Sequence, residues 1–491
     1  MNETNPRRQF LSGAAGLAAA SPLVGLVLPA TASAAENPGA VGVAAGQTRQ
    51  LAEYASRLRY EDIPQDVINR AKQVITDTVA TIMYGSELPW SKMIAQYAQA
   101  NGPGGKSKIL GMKNTLVHAP MAALTSGAFA HAFELDNLTK PNSGSHPGAT
   151  VFASLLAVGQ ETGASGRDLI TAFVAGVEVM IRIGHATKHS QEQHGFHAPG
   201  TTGPFGAAIG NARLLGLSAD KTQHAIGIAA STAGGLLEFA KAGNGGMVKR
   251  LHLGRAAESG VLAVRLAEAG FTSPSTSLEG EFGFLRVFCR DYDMNALTHG
   301  LGSEWETRTI MLKRYACHIT AHTPVEGTLA LKAEHRFSGD DVAEITVQTI
   351  SRAVRVNSIA QPKDILLGQY SIPFCVALAL YRNPVDPRSF DESAIADARI
   401  MGLAARVKMV ELPPPENRSD MTSVVTITLK DGRQHQIRTT AFSGTPEKPL
   451  SQADLRDKFL MLTRQFGEAG MARVFARLQD LEIEKDLGWI G

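Results

Sequence analysis

From about Thr48 to Gly300 the apolar residues recur at intervals of three and four, the spacing that lines one face of a helix, and glycine or proline punctuates the gaps. Ile63-Pro64-Gln65-Asp66 opens one such helix, with Val67, Ala71, Val74, Ile75, Val79 and Ile82 on its buried stripe. Further helices are predicted over Ala149 to Thr162, Gly166 to His185, Gly203 to Leu214 and Lys221 to Gly234. Their wealth of Ala and Gly predicts axes that approach closely, with few bulky spacers between them. Beyond Arg308 the texture changes. Glu344 to Ile350 alternates at period two, and Ser423 to Leu429 joins Gln434 to Thr440 through Asp431-Gly432, a hairpin signature. Helices lie between these strands, and Ser451 to Leu487 returns to helix. The pattern predicts a mainly α protein: a large all-helical domain over 47–308, a smaller α+β lid domain over 309–450, and C-terminal helices over 451–491 that return to the helical domain.

The first residues have a different character. Arg7 and Arg8 precede a stretch of Ala, Gly, Leu and Val that runs without a charge to Ala35, and Ala32-Ser33-Ala34 has the small-residue pattern of a cleavage site. Paired arginines ahead of a mild apolar region read as a twin-arginine signal over 1–34, cut after Ala34. This predicts a periplasmic protein that engages the twin-arginine export machinery. Gly13, Gly16, Ser21 and Pro22 weaken any spanning helix, so no stable membrane anchor is expected. The 48 Lys and Arg nearly balance the 46 Asp and Glu, with no basic run, which argues against nucleic acid as a partner and for a small ligand. Three cysteines, none spaced as CxxC, exclude a disulfide framework.

Candidate chemistry collects in four polar connections. The first is His131-Ala132-Phe133-Glu134-Leu135-Asp136-Asn137, followed by a loop ending in Ser145-His146-Pro147-Gly148 just before a helix, a place where acids and an imidazole can overhang a cavity. The second holds His185, His189 and His194, whose first two members have the i,i+4 spacing of metal ligands, and then His197 ahead of a Pro-Gly-Thr-Thr-Gly loop. In the third, Lys249 stands beside glycines and three residues from His252, a cationic cradle for an anion or a base of lowered pKa. The fourth, Lys313 to His318 with His322 beyond, falls where the helical domain passes into the α+β one.

In this order the motifs resemble the MmgE/PrpD family, which includes 2-methylcitrate dehydratase and cis-aconitate decarboxylase. The marks are His146-Pro147-Gly148, Phe196-His197-Ala198-Pro199, Lys249 to Gly254, Leu278 to Gly283, Lys313-Arg314-Tyr315 with His318, and Ser371-Ile372-Pro373-Phe374. The resemblance implies a cofactor-free, metal-free lyase, a homodimer built on the helical parts, and a small di- or tricarboxylate as substrate. Carried over residue by residue, it makes His146, His197, Lys249 and His318 catalytic, and Glu134, Asp136, Lys313, His252 and Phe374 substrate-binding. Two positions depart from the family pattern. The acidic loop reads Glu134-Leu135-Asp136-Asn137-Leu138 in place of Asp-Phe-Asp-Asp-Thr, and Phe374 stands where a tyrosine is usual, so altered substrate contacts are expected at both.

The expected reaction is proton transfer at a carbon next to a carboxylate, leading to dehydration or decarboxylation, with lysines stabilising the developing charge and an imidazole moving the proton. An isomerase or epimerase on the same fold is one alternative. A metal-dependent hydrolase on His185, His189 and His194 is another.

Overall fold

A computed structural model describes residues 46–141, 143–240, 246–416 and 421–491. The expected export signal and its cleavage point after Ala34 lie outside these residues. Helix Gln65–Ser86 carries the predicted stripe, and Val67, Ala71, Val74, Ile75, Val79 and Ile82 are all buried. Helix Gly166–Ala186 is long and apolar enough to cross a membrane, but 94% of its most apolar window is buried inside the molecule, as a core helix requires.

The abundance of glycine has a direct reading in the packing. Helices Ala119–Ala130 and Ala198–Leu214 both pack along Val248–Glu268. A Cβ on Gly254 would stand 2.3 Å from the carbonyl oxygen of Leu124, and one on Gly260 only 2.2 Å from the Cβ of Ala207. Backbone therefore meets backbone here, and even a methyl group has no room.

Two predicted boundaries move. The helix expected from Gly203 begins at Ala198, so Pro199-Gly200-Thr201-Thr202 forms its first turns and not a loop. Proline is tolerated there because a first-turn N–H has no partner to lose. Glycine at 200 is required by contact, since a Cβ would lie 2.3 Å from the Gly234 carbonyl oxygen. The helix expected from Ala149 starts with a π-helical turn, Gly148–Phe152, that continues into Ala153–Thr162.

The smaller α+β region is built on a four-stranded sheet. Strand Val342–Thr349 pairs parallel with Val407–Glu411 on one side and antiparallel with Ser423–Leu429 on the other, and Gln434–Thr439 closes the order antiparallel. The predicted hairpin turns at Gly432, whose φ of +87° suits glycine alone. Helix His322–His335 contacts the strands of that hairpin, and Ile372–Tyr381 contacts Val407–Glu411. The helical part and the α+β part are tied by a two-stranded ribbon in which Leu138 and Thr139 pair with Met311 and Ile310. Helix Gln452–Thr463 returns onto Gln65–Ser86, where Lys458 Nζ donates to Asp77 Oδ1 at 2.5 Å and to the carbonyl of Lys313 at 2.6 Å.

The glycine contacts set opposite expectations for two substitutions. Gly260→Val is expected to destabilise the protein by about 3 kcal/mol through overpacking. Gly402, in helix Ala398–Ala404 with nothing near its missing Cβ, is expected to gain about 0.5–1 kcal/mol as Gly402→Ala. Urea midpoints of the two variants check both signs.

Candidate active site

The chain that leaves helix Ala119–Ala130 must place several polar groups within a few residues, and three constraints fix its path. Glu134 adopts a left-handed φ of +56°, uncommon for a residue with a side chain. Leu138 and Thr139 are held in the ribbon with Ile310 and Met311. Asn137 then staples the loop: its Nδ2 donates to Asp77 Oδ2 at 3.2 Å and to Thr78 Oγ1 at 3.0 Å, and its Oδ1 accepts from the Gly148 backbone N–H at 2.8 Å. The departure from the family's acidic loop at this position is thus a structural staple, and Asn137 is not among the residues that line the cavity.

Two buried ionic centres result. In the first, Asp136 Oδ2 accepts from His131 Nδ1 at 2.9 Å and from His146 Nδ1 at 2.7 Å. A carboxylate that takes both Nδ1 protons leaves each neutral imidazole with a bare Nε2, the form that can accept a proton. Burial raises the Asp136 pKa, but His131 and His146 outweigh it and hold the group well below the usual carboxylate range. Burial, with Lys249 adding to it, drops His131 to about 4 in spite of Asp136. In the second centre Glu134 receives Lys249 Nζ on Oε1 and Lys313 Nζ on Oε2, the latter at 2.7 Å. Burial works against all three charges. The two lysines nonetheless hold Glu134 well below its ordinary value, Glu134 and Asp136 keep Lys313 above its own, and Lys249 falls below.

Both centres open on one cavity of about 430 Å³. His131, Glu134, His146, His197, Lys249, Lys313 and His318 line it, so the structure gathers most of the predicted residues from four separate stretches of chain. His197 caps helix Ala198–Leu214, and burial together with Lys249 drives its pKa well below the ordinary value. Its Nδ1 lies 3.1 Å from Nδ1 of His252. One of that pair carries the proton and the other accepts, so the tautomer of His252 decides whether the far nitrogen of His197 is bare or protonated.

Several expectations are corrected. Asp136 is fully buried behind its imidazoles and His252 lies behind His197, so neither is a wall of the cavity. Phe374 packs in the hydrophobic core against Gly368 and does not reach the cavity. The phenol on the wall is Tyr370, four residues earlier, with its ring 4.7 Å from that of His318 and 5.6 Å from Lys249 Nζ. His185 ends helix Gly166–Ala186 and faces Glu306, whereas His189 lies beyond the helix with φ +57° and faces Glu192. The two do not share a helix face, and with His194 they form no metal-ligand group among the described residues. The residues that could hold a metal ion are instead His131, Asp136 and His146, whose ligand atoms lie within 4.8 Å of one another.

A helical body, a sheet-based second part and a cavity lined by imidazoles and lysines define a two-part enzyme. The chain belongs to the MmgE/PrpD family: the family's N-terminal domain matches residues 49–297 and its C-terminal domain residues 315–481. It is 33% identical to cis-aconitate decarboxylase of Aspergillus terreus over 360 residues, 68% of this chain and 72% of the relative. Human cis-aconitate decarboxylase is 27% identical over 454 residues, 89% and 92% of the two chains. Similarity to 2-methylcitrate dehydratase of Cupriavidus necator is 27% over 239 residues, 45% of this chain and 48% of the relative.

The depressed imidazoles predict an acid sensitivity that begins early. His131 and His318 titrate at about 4 and about 3 when folded but at the ordinary 6.5 once unfolded, so the unfolded chain binds protons first. Stability is therefore full above about pH 6.5 and falls as pH drops toward ~4, before Glu134 and Asp136, with their lowered values, begin to lose theirs. The melting temperature measured across that window should decline, and His131→Gln should flatten the decline.

Proposed function

We propose that the protein is a metal-independent lyase that acts on a small di- or tricarboxylate by proton transfer next to a carboxylate, ending in decarboxylation or dehydration. The observation that carries this reading is the meeting, in one buried cavity, of Asp136-oriented imidazoles with a lysine pair held on Glu134. The three charges of Glu134, Lys249 and Lys313 leave a surplus of one positive charge to receive a substrate carboxylate. In the dehydration route, bare Nε2 of His146 takes the proton from the carbon beside that carboxylate. The electron pair spreads onto the carboxylate oxygens, where Lys249 and Lys313 stabilise it, and hydroxide leaves as water with the proton returned by the His146 imidazolium, while His197 holds the leaving oxygen by a hydrogen bond. In the decarboxylation route the carbon–carbon bond breaks, its electron pair stays on the substrate carbon, and an imidazolium returns a proton there. Similarity to decarboxylases over most of the chain supports the second ending.

Asp136 acts through His146 and His131 by fixing their tautomers, as a positioning residue. Replacing His146, His197 or Lys249 by alanine is expected to lower kcat by roughly 10²–10⁴. Asp136→Asn should cost roughly 10²-fold with KM little changed. Proton NMR of substrate panels in D₂O separates the endings: loss of carbon dioxide, loss of water, or deuterium uptake alone, which would reveal an isomerase or epimerase. Near-native turnover in all three alanine variants overturns the mechanism. Activity lost on chelation and restored by a divalent cation would move the reading to a metal held by His131, Asp136 and His146.

We also propose that the enzyme works in the periplasm as a homodimer after twin-arginine export. Arg7→Lys with Arg8→Lys is expected to keep the precursor in the cytoplasmic fraction. Sedimentation of the mature form should give twice the monomer mass.

A further inference from the structure

The chemistry above leaves two arginines of the cavity wall unused. Helix Ser351–Asn357 follows strand Val342–Thr349 directly, and Arg352 and Arg355, one turn apart on it, both line the cavity. Unlike the buried Lys249 and Lys313, both are exposed. Arg352 donates to Glu192 Oε2 in the segment Ser190–His194, and Glu192 also faces His189 Nε2 at 2.9 Å. Arg355 makes no ion pair with a described residue.

A second chamber of about 380 Å³ adjoins the first and shares His189, His318, Ile319 and Arg352 with it. Neither Lys249 nor Lys313 lines that chamber, so Arg352 stands on the side of the site that leads away from the lysines. Among the described residues the main cavity's wall carries four fixed cations, Lys249, Lys313, Arg352 and Arg355, against the carboxylates of Glu134 and Glu192. Even after Asp136 is counted behind His146, a positive surplus remains.

The charge therefore has two poles, one buried and one at the rim. A guanidinium fork matches a carboxylate with two parallel hydrogen bonds, which an ammonium cannot do. Arg352 is the exposed member of its pair, with 45% of its side chain accessible against 15% for Glu192, and Glu192 keeps His189 as a second partner, so Arg352 can turn to another carboxylate without leaving Glu192 unpaired. We propose that Arg352 and Arg355 form a second carboxylate subsite, which receives the distal carboxylate of a substrate whose reacting end lies at the lysine pair. Arg352 exchanges Glu192 for that carboxylate on binding. This rests on the carboxylate-lyase reading and deepens it: the substrate must carry carboxylates at both ends, and Glu192 keeps Arg352 oriented while the site is empty.

Calorimetric titration with tricarballylate, glutarate and butyrate tests the subsite without turnover. In Arg352→Ala with Arg355→Ala, binding of tricarballylate and glutarate should weaken roughly tenfold while butyrate is unaffected. Glu192→Gln should tighten the first two. If the double variant binds all three probes as the wild type does, or loses butyrate equally, the subsite is wrong and the lyase reading stands. If instead Lys249→Ala leaves every affinity unchanged, the lysine pair holds no carboxylate and the underlying reading fails with it.

Discussion

Glu134 is the carboxylate on which the site depends. A buried charge is tolerated only when it is paired, and breaking such a pair costs far more than forming it gains. Here one carboxylate satisfies two buried lysines that come from distant stretches, Lys249 from the start of helix Val248–Glu268 and Lys313 from the segment after the ribbon. The loop, the helical body and the entry to the α+β part are thereby held in one geometry. Lys458 extends the lock from the C-terminal helix by binding Asp77 and the Lys313 carbonyl, and Asp77 in turn holds Asn137.

Much of this was legible in the chain. The stripe of helix Gln65–Ser86 and the alternation of Val342–Thr349 announce themselves because burial alone dictates those periods. His146, His197, Lys249, Lys313 and His318 were legible as a group because each sits in a polar or glycine-rich connection, where packing gives no reason for such a residue. The start of the helix at Ala198 was not, since Pro-Gly-Thr-Thr-Gly has loop composition and its glycines answer to partners far away, Gly234 among them. Phe374 was misread for a similar reason. It and Tyr370 lie on either side of the junction between helices Ile365–Tyr370 and Ile372–Tyr381, and only the turn there decides which ring faces the cavity. Arg352 had no local signal at all, because its significance lies in Glu192, 160 positions earlier.

The site divides its labour between rigid and adjustable groups. The imidazoles that would move protons, with Asp136 and the lysine pair, are buried and multiply tied, which suits groups whose reach to a reacting carbon tolerates little error. Cations at the mouth are exposed and joined by one ion pair. A single fold can in this way keep its proton chemistry constant while the far end of the ligand varies.

The glycine-lined helix contacts bear on where the molecule can change as well as on its stability. Where Gly254 meets Leu124 and Gly260 meets Ala207, no side chain stands between the helices that a mutation could enlarge, shrink or tilt. These two contacts therefore leave no room for adjustment by side-chain size. Tyr370 and the arginines of Ser351–Asn357, by contrast, face the cavity. Side-chain size can therefore vary at the cavity wall in a way that it cannot where two backbones meet.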